Sequence, residues 1–190
     1  MKRLFDIFLS LIGIILSSPI IFIFLFLIYL QDLKNPLYFA KRVGILGKKF
    51  HMIKIRSMKY NADISGVEST SNNDQRITKI GHFIRKFKID ELTELINVFR
   101  GDMSFVGPRP NTLKAVATYS IEEKKLLSVK PGITDLASII FSSEGRILEH
   151  SDDPDKDYEI LIRPWKSKLG IVYVENRSLF LDIKIIFLTI

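Results

Sequence analysis

Leu4–Leu30 reads LFDIFLSLIGIILSSPIIFIFLFLIYL, and this stretch decides how the rest of the chain is organised. Its only formally charged residue is Asp6. The run exceeds the ~20 apolar residues that cross a bilayer as a helix. It is too long for the apolar core of a cleaved leader, and no small-x-small cleavage site follows it. A retained membrane helix is therefore expected. Ser17-Ser18-Pro19 lies in its middle. Proline has no N–H and its ring clashes with the carbonyl four residues back, so the helix should kink or break there. The serines just before it can hydrogen-bond the freed carbonyls. Lys2 and Arg3 precede the run, while Lys34, Lys41 and Arg42 follow it. The positive-inside rule thus favours one side for both ends. Two half-helices that enter and leave by one face, and a kinked helix that spans, both stay open on these residues. Asp6 lies one turn from Lys2 and Arg3, and pairing with them at the interface would offset the cost of a charge near lipid.

The full chain has 190 residues, enough for one domain with a core plus this appendage. The expected division is a membrane helix over residues 1–33 and a globular domain over 34–190. There is no cysteine, which excludes disulfides, thiolate metal sites and a cysteine nucleophile. The histidines, His51, His82 and His150, are scattered. A metal here would be a hard, oxygen-liganded ion such as Mg²⁺. The formal net charge is +7, which suits a polyanionic partner. Eight Lys and Arg residues lie between Lys34 and Lys59 with no acidic residue among them. Next to a membrane segment, such a run favours anionic lipid over a merely solvated surface.

Leu37-Tyr38-Phe39 and Phe50-His51-Met52-Ile53 flank a turn from Gly44 to Gly47, which predicts a hairpin. Asn61–Gln75 is polar and reads as a surface loop. Ile80–Phe87 predicts a short basic amphipathic helix. After Ile89, Leu92, Leu95, Ile96 and Phe99 recur at helical spacing and predict one apolar face, with Asp90, Glu91 and Glu94 off it. Gly101 supplies a stop. Tyr119–Val129, Glu159–Val174 and Leu179–Ile190 complete the expected helices, the last packed on the core or lying along the membrane surface. The fold class is helix-rich α+β with a minor hairpin and amphipathic interfacial helices.

Chemistry concentrates in Ile89–Pro110, IDELTELINVFRGDMSFVGPRP. Carboxylates in the first turn of a helix face unsatisfied N–H groups and the positive end of the dipole, which favours their ionised form. Ionised Asp90 could attack phosphorus or ligate Mg²⁺. Asp90 and Glu91 could equally do no more than stabilise a helix start. Pro108-Arg109-Pro110 presents a guanidinium on a stiff backbone, apt for phosphate, though a structural turn with an exposed arginine has the same sequence. Lys54 and Arg56 alternate with Ile53 and Ile55, so both cations are expected on one strand face. A carboxylate pair, three phosphate-suited cations and a membrane anchor together point to phosphoryl chemistry at a bilayer surface.

These residues resemble the bacterial sugar transferases, the monotopic phosphoglycosyl transferases. The resemblance rests on Lys2-Arg3, Asp6 and Ser18-Pro19, then IKIRSM from Ile53 to Met58 and the segment Asp74–Arg85. It continues through Asp90–Pro110, KPGIT from Lys130 to Thr134 and LDIKII from Leu181 to Ile186. It covers essentially the whole chain. The resemblance implies transfer of a sugar-1-phosphate from a UDP-sugar to polyprenol (undecaprenyl) phosphate. It implies a re-entrant membrane helix broken at Ser18-Pro19, with the catalytic domain on the cytoplasmic face of the bacterial inner membrane. Asp90 would be the nucleophile that carries a covalent phosphosugar, and Glu91 its metal or proton-handling partner, with Mg²⁺ held by both. Lys54, Arg56 and the Pro108-Arg109-Pro110 unit would handle phosphate or nucleotide.

The chain departs from the family pattern at Thr93 and Glu94, where Pro and Gln are usual, at Lys88, and along Asp135–Arg146. An inactive membrane-anchored scaffold of a glycan assembly complex is the alternative reading. Nucleic-acid binding has no motif behind it. Membrane lipid is an expected partner, and a homo-oligomer stays open.

Overall fold

The computed structural model describes residues 1–65, 70, 74–142, 147–149 and 151–189. Its longest element is helix α1, Lys2–Asp32. The hairpin follows as β1, Leu37–Val43, and β2, Lys49–Ile55. They pair antiparallel from Leu37 opposite Ile55 to Val43 opposite Lys49. Helices α2, Lys79–Lys86, and α3, Glu94–Arg100, come next. Strand β3, Ser104–Val106, and strand β4, Gly132–Thr134, form a short parallel pair that the sequence did not predict. Helices α4, Leu113–Ala117, and α5, Leu136–Ile140, flank β4 in the chain. The C-terminal part holds α6, Pro154–Asp157, a π-helical turn over Tyr158–Ile162, α7, Arg163–Asn176, and α8, Leu179–Thr189. The fold is helix-rich α+β with a small sheet component.

Two expected helices differ locally, each for a visible reason. In place of Tyr119–Val129 there is a 3₁₀ segment, Glu123–Ser128. Ser120 and Glu123 bond reciprocally, side chain to backbone N–H, and this capping box holds off the helical start until after Ser120. The helix expected from Glu159 runs through the π turn before α7, beside Pro164, whose missing N–H disturbs the ladder. Part of the expected Asn61–Gln75 loop, residues 66–69 and 71–73, lies outside the described residues, as do residues 143–146 of the Asp135–Arg146 segment.

The backbone of α1 stays helical through Pro19. The Ser18 hydroxyl donates to the Ile15 carbonyl at 2.8 Å, the acceptor that Pro19 leaves without an N–H. The Ser17 hydroxyl donates to Gly13 O at 2.6 Å. The Ser-Pro site is thus a missing backbone bond filled by side chains, and no end of helix falls there.

Along its length α1 docks on a single body. At its N-terminal end, Arg3 donates to the Val98 and Phe99 carbonyls, at 2.6 and 2.8 Å, at the C-terminus of α3. Midway, Gly13 faces Leu95 so closely that a Cβ there would meet its methyl at 3.0 Å. Farther on, Ile28 is buried with Ile55 and Ile84, and Phe24 stacks on Phe83 of α2. At the far end Asp32 accepts a bidentate pair from Arg56 at 2.5 and 2.7 Å. The other face is open and apolar, with Phe8, Leu16, Phe22 and Phe26 all exposed. This face suits association with a membrane. Asp6 is not the partner of Lys2 or Arg3. It is buried and accepts from Ser104 Oγ and Phe105 N–H, while Lys2 reaches Asp182 of α8.

Candidate active site

Lys88 takes left-handed backbone angles, φ 56°, directly before the carboxylate pair. A non-glycine residue there carries local strain, and it turns the chain sharply out of α2. Asp90 and Glu91 therefore sit on a 3₁₀ turn, Ile89–Glu91, one turn ahead of α3. The expected α-helical start is displaced by that turn.

The buried side of α3 also differs from expectation. Thr93, Glu94, Leu95, Asn97 and Val98 are buried, whereas Phe99 is exposed. The reason is that α3 fills the space between α1 and β2. Its apolar Leu95 meets α1, while its polar residues satisfy the strand. Thr93 Oγ1 donates to Ile53 O at 2.8 Å. Asn97 Oδ1 accepts from Ile53 N–H at 2.9 Å, and its Nδ2 donates to His51 O at 2.8 Å. Unpaired strand groups in the interior would be costly, and these side chains remove that cost. They also fix the carboxylate turn against the strand residue Lys54. Thr93 and Asn97 lie four apart, so one polar stripe on an otherwise apolar helix was the sequence signal for this contact.

Lys54 Nζ lies 3.0 Å from Glu91 Oε1, 3.2 Å from Glu94 Oε1 and 3.7 Å from Asp90 Oδ2. Arg109 Nη2 donates to the same Glu91 oxygen at 2.6 Å. Arg109 is delivered by Gly107-Pro108-Arg109-Pro110, which leaves the end of β3. A Cβ on Gly132 would fall 2.2 Å from Gly107 N, and one on Gly107 would fall 2.4 Å from Lys130 O. Only glycines allow the two segments to approach this closely. Gly132 N–H in turn donates to Pro108 O at 3.1 Å. Prolines on both sides then limit how far the guanidinium can wander.

Burial opposes the Glu91 charge, yet Arg109 and Lys54 hold its carboxyl well below the usual range. Glu94 goes the other way: burial and the neighbouring Glu91 charge push its carboxyl up against the pull of Lys54. Burial disfavours the Lys54 ammonium, but Glu91 and Glu94 outweigh it and raise its pKa. Arg109 is raised mainly by Glu91. Asp90 Oδ1 is buried and accepts no hydrogen bond among the described residues, and Glu94 Oε1 is paired with the Lys54 ammonium at 3.2 Å.

Of the expected cations, the structure brings Lys54 and Arg109 together with Asp90 and Glu91. Arg56 stands apart, paired with Asp32, so the two strand cations serve different partners. Thr93 and Glu94, read from the sequence as departures from the family pattern, and Asn97, which the sequence reading did not single out, join the site.

A model of the bacterial sugar transferase family matches residues 1–190. The chain belongs to this family. Among its relatives is the uncharacterized sugar transferase EpsL of Bacillus subtilis, 36% identical over 191 residues, which cover 100% of this chain and 85% of the relative. The undecaprenyl-phosphate galactose phosphotransferase of Salmonella typhimurium is 36% identical over 204 residues, covering 100% of this chain and 39% of the relative. The undecaprenyl-phosphate glucose phosphotransferase of Komagataeibacter xylinus is 36% identical, with 100% and 35% covered. This bacterial sugar transferase therefore spans about two-fifths or less of the length of both phosphotransferases.

The donor set of this bacterial sugar transferase fits the expected Mg²⁺. All candidate ligands are carboxylate oxygens, and the Asp90 oxygen without a partner is an acceptor that a hard cation would satisfy. Among the described residues there is no group of three or more side chains able to hold a metal by themselves. One or two carboxylates plus substrate phosphate is the usual way Mg²⁺ is bound.

Proposed function

We propose that this chain transfers a sugar-1-phosphate from a UDP-sugar to polyprenol phosphate through a covalent phosphosugar on Asp90. The observation that carries the reading is a buried Asp90 carboxylate whose Oδ1 accepts no hydrogen bond, set beside Lys54 and next in the chain to the Glu91 that Arg109 pairs with. In the first step an Asp90 oxygen attacks the sugar-linked phosphorus. An O–P bond forms, the bond to the bridging diphosphate oxygen breaks, and UMP leaves with that electron pair. In the second step a polyprenol phosphate oxygen attacks the same phosphorus. The aspartyl O–P bond breaks, Asp90 is regenerated and a polyprenol diphosphate sugar is released. A carboxylate oxygen and a phosphate oxygen attack phosphorus without a hydroxyl proton to remove, so neither step calls on a separate base. Lys54 and Arg109 stabilise charge on the phosphoryl oxygens, which is where phosphoryl transfer gains most. Mg²⁺, held by Asp90 and Glu91, would neutralise the diphosphate.

The reading extends to location. Both ends of α1 dock on one body, which supports a helix that stays on one side of the bilayer, with the domain on the cytoplasmic face of the inner membrane. The relatives' names, undecaprenyl-phosphate galactose and glucose phosphotransferase, support the lipid acceptor. The test is a membrane fraction incubated with Mg²⁺ and a panel of UDP-sugars. UMP release that depends on polyprenol phosphate is expected. Its absence with every sugar would instead favour an inactive scaffold. Accessibility labelling at residues 2 and 34 should report the same side, and opposite sides would overturn the one-sided helix.

A further inference from the structure

We propose that Tyr119 is a positioning residue for Arg109, acting through Asn111 on the far side of the Pro108-Arg109-Pro110 turn. The inference rests on the transfer reading for what the guanidinium grips, and on geometry for how it is held.

Arg109 has the most open side chain of the charged cluster, 38% exposed against 16% for Lys54 and 12% for Asp90. Packing around the guanidinium does little to fix it, so its place depends on where the backbone starts it. That backbone is held on both sides. Before Arg109, Gly107 N–H donates to Thr134 O and Pro108 O accepts from Gly132 N–H, at 3.1 Å each. After it, Asn111 O accepts from the N–H of Val43, the last residue of β1, at 3.1 Å. Asn111 Nδ2 donates to the Tyr119 hydroxyl at 2.6 Å. Three of these tethers join main chain to main chain. The fourth is a bond between side chains, and a substitution can remove it alone.

Tyr119 is itself fixed. It is buried with Leu126 of the 3₁₀ segment and Ile171 of α7. The Arg163 guanidinium lies 5.9 Å from the ring centroid and is paired with Glu123 and Glu159. Helix α7 also reaches the turn directly: a Cβ on Gly170 would meet Leu126 at 2.7 Å and Pro108 at 3.5 Å. Burial raises the pKa of the Tyr119 hydroxyl, so it stays neutral. A buried tyrosine needs a partner for its hydroxyl. Here that partner is the side chain two residues past Arg109, and no group within the apolar cluster serves instead. The bond therefore carries the position of the C-terminal layer to the turn that presents the guanidinium. A long side chain magnifies a small rotation at its base, and ~1 Å of misplacement can cost a reaction up to ~10²-fold. With three tethers left, the loss should be smaller.

The test uses the full chain in detergent or nanodiscs. Tyr119→Phe keeps the ring and removes the hydroxyl. KM for the UDP-sugar should rise about fivefold, with kcat per folded enzyme within about twofold of wild type. Thermal unfolding should shift by no more than about 4 °C. In an Arg109→Lys background the same substitution should change KM by less than about twofold, because a flexible ammonium has no fork to misalign. A KM unchanged by Tyr119→Phe overturns the proposal, and so does an equal rise in both backgrounds. A second measurement needs no turnover. Phenylglyoxal modification of Arg109, read by peptide mass spectrometry against the exposed Arg100, should be about threefold faster or more in Tyr119→Phe, as a loosened turn frees the guanidinium from Glu91. An unchanged rate at Arg109 also overturns the proposal. If Tyr119→Phe does not fold, Asn111→Ala removes the same bond from its other partner and is read in the same way. Faster modification in the variant, with no UMP release by the wild type, sinks only the transfer reading. Normal transfer with Arg109 indifferent to the Tyr119 hydroxyl sinks this inference alone.

Discussion

Two polar clusters, one at the N-terminal end of α1 and one around Lys54, are finished differently. At the N-terminal end of α1, Lys2 donates to Val106 O and Tyr173 OH at 3.1 Å each and to Asp182 at 2.5 Å. Tyr173 OH donates to Asp182 Oδ1 at 2.7 Å, and Asp6 accepts from Ser104 and Phe105. In the cluster around Lys54, three carboxylates crowd one ammonium and one guanidinium, and the buried Asp90 Oδ1 accepts no hydrogen bond. A satisfied network holds elements in place. An unsatisfied one keeps charge in reserve for a ligand. The contrast supports anchoring of α1 by the first cluster and the proposed chemistry at the second.

The sharpest way to break this contrast is Asp90→Asn. It should reduce UMP release by about 10³-fold or more, about 4 kcal/mol of barrier, and abolish the covalent adduct. Stability should change little, because an amide fills the same space. Normal turnover in this variant would return Asp90 to the role of a helix ornament. Asp182→Ala should do the reverse. It removes the anion that pairs with Lys2 and accepts from the Tyr173 hydroxyl, leaving both donors to share Val106 O, at about 1–2 kcal/mol, since Lys2 is partly exposed. Denaturant unfolding in detergent measures it, and kcat of the folded fraction should hold.

Acid unfolding sharpens the comparison from the charged side. The folded-state pKa of Glu91 lies below its ordinary value of 4.5, so its ion pairs contribute stability above about that pH. The contribution is lost as pH falls through the lowered folded value. In metal-free buffer, Glu91→Gln should show a shallower loss of unfolding midpoint below pH 4.5 than wild type, and parallel curves would refute the linkage. Thr93→Val has the smallest effect. Removing its bond to Ile53 O should cost about 1 kcal/mol and raise KM for the UDP-sugar slightly, as the carboxylate turn loosens against β2.

Much of this molecule was legible without coordinates. The apolar run gave α1, the β-prone segments gave the hairpin with its turn, and Asp90, Glu91, Lys54 and Arg109 were named from motif and residue chemistry. What escaped was pairing at a distance. Arg56 looked like a companion of Lys54 because strand alternation puts them on one face, but Asp32 from the end of α1 claims it. Asp6 looked like a partner for Lys2 because they are one turn apart, but Ser104 and Phe105 are better placed to donate to it. The buried side of α3 could not be read from apolar spacing, since Thr93 and Asn97 are buried to satisfy a strand edge.

The sequence by itself determined the apolar α1 segment, the hairpin and the acidic pair Asp90-Glu91 ahead of α3, because hydropathy, turn chemistry and residue type act locally. The tertiary structure alone decided which charges meet. Glu91 received two cations and Glu94 shares one of them, while Asp90 kept a buried oxygen without a hydrogen bond. The difference arises because burial makes every polar group depend on its nearest partner in space, and that partner is supplied by packing of α1, α3, β2 and the β3–β4 turns.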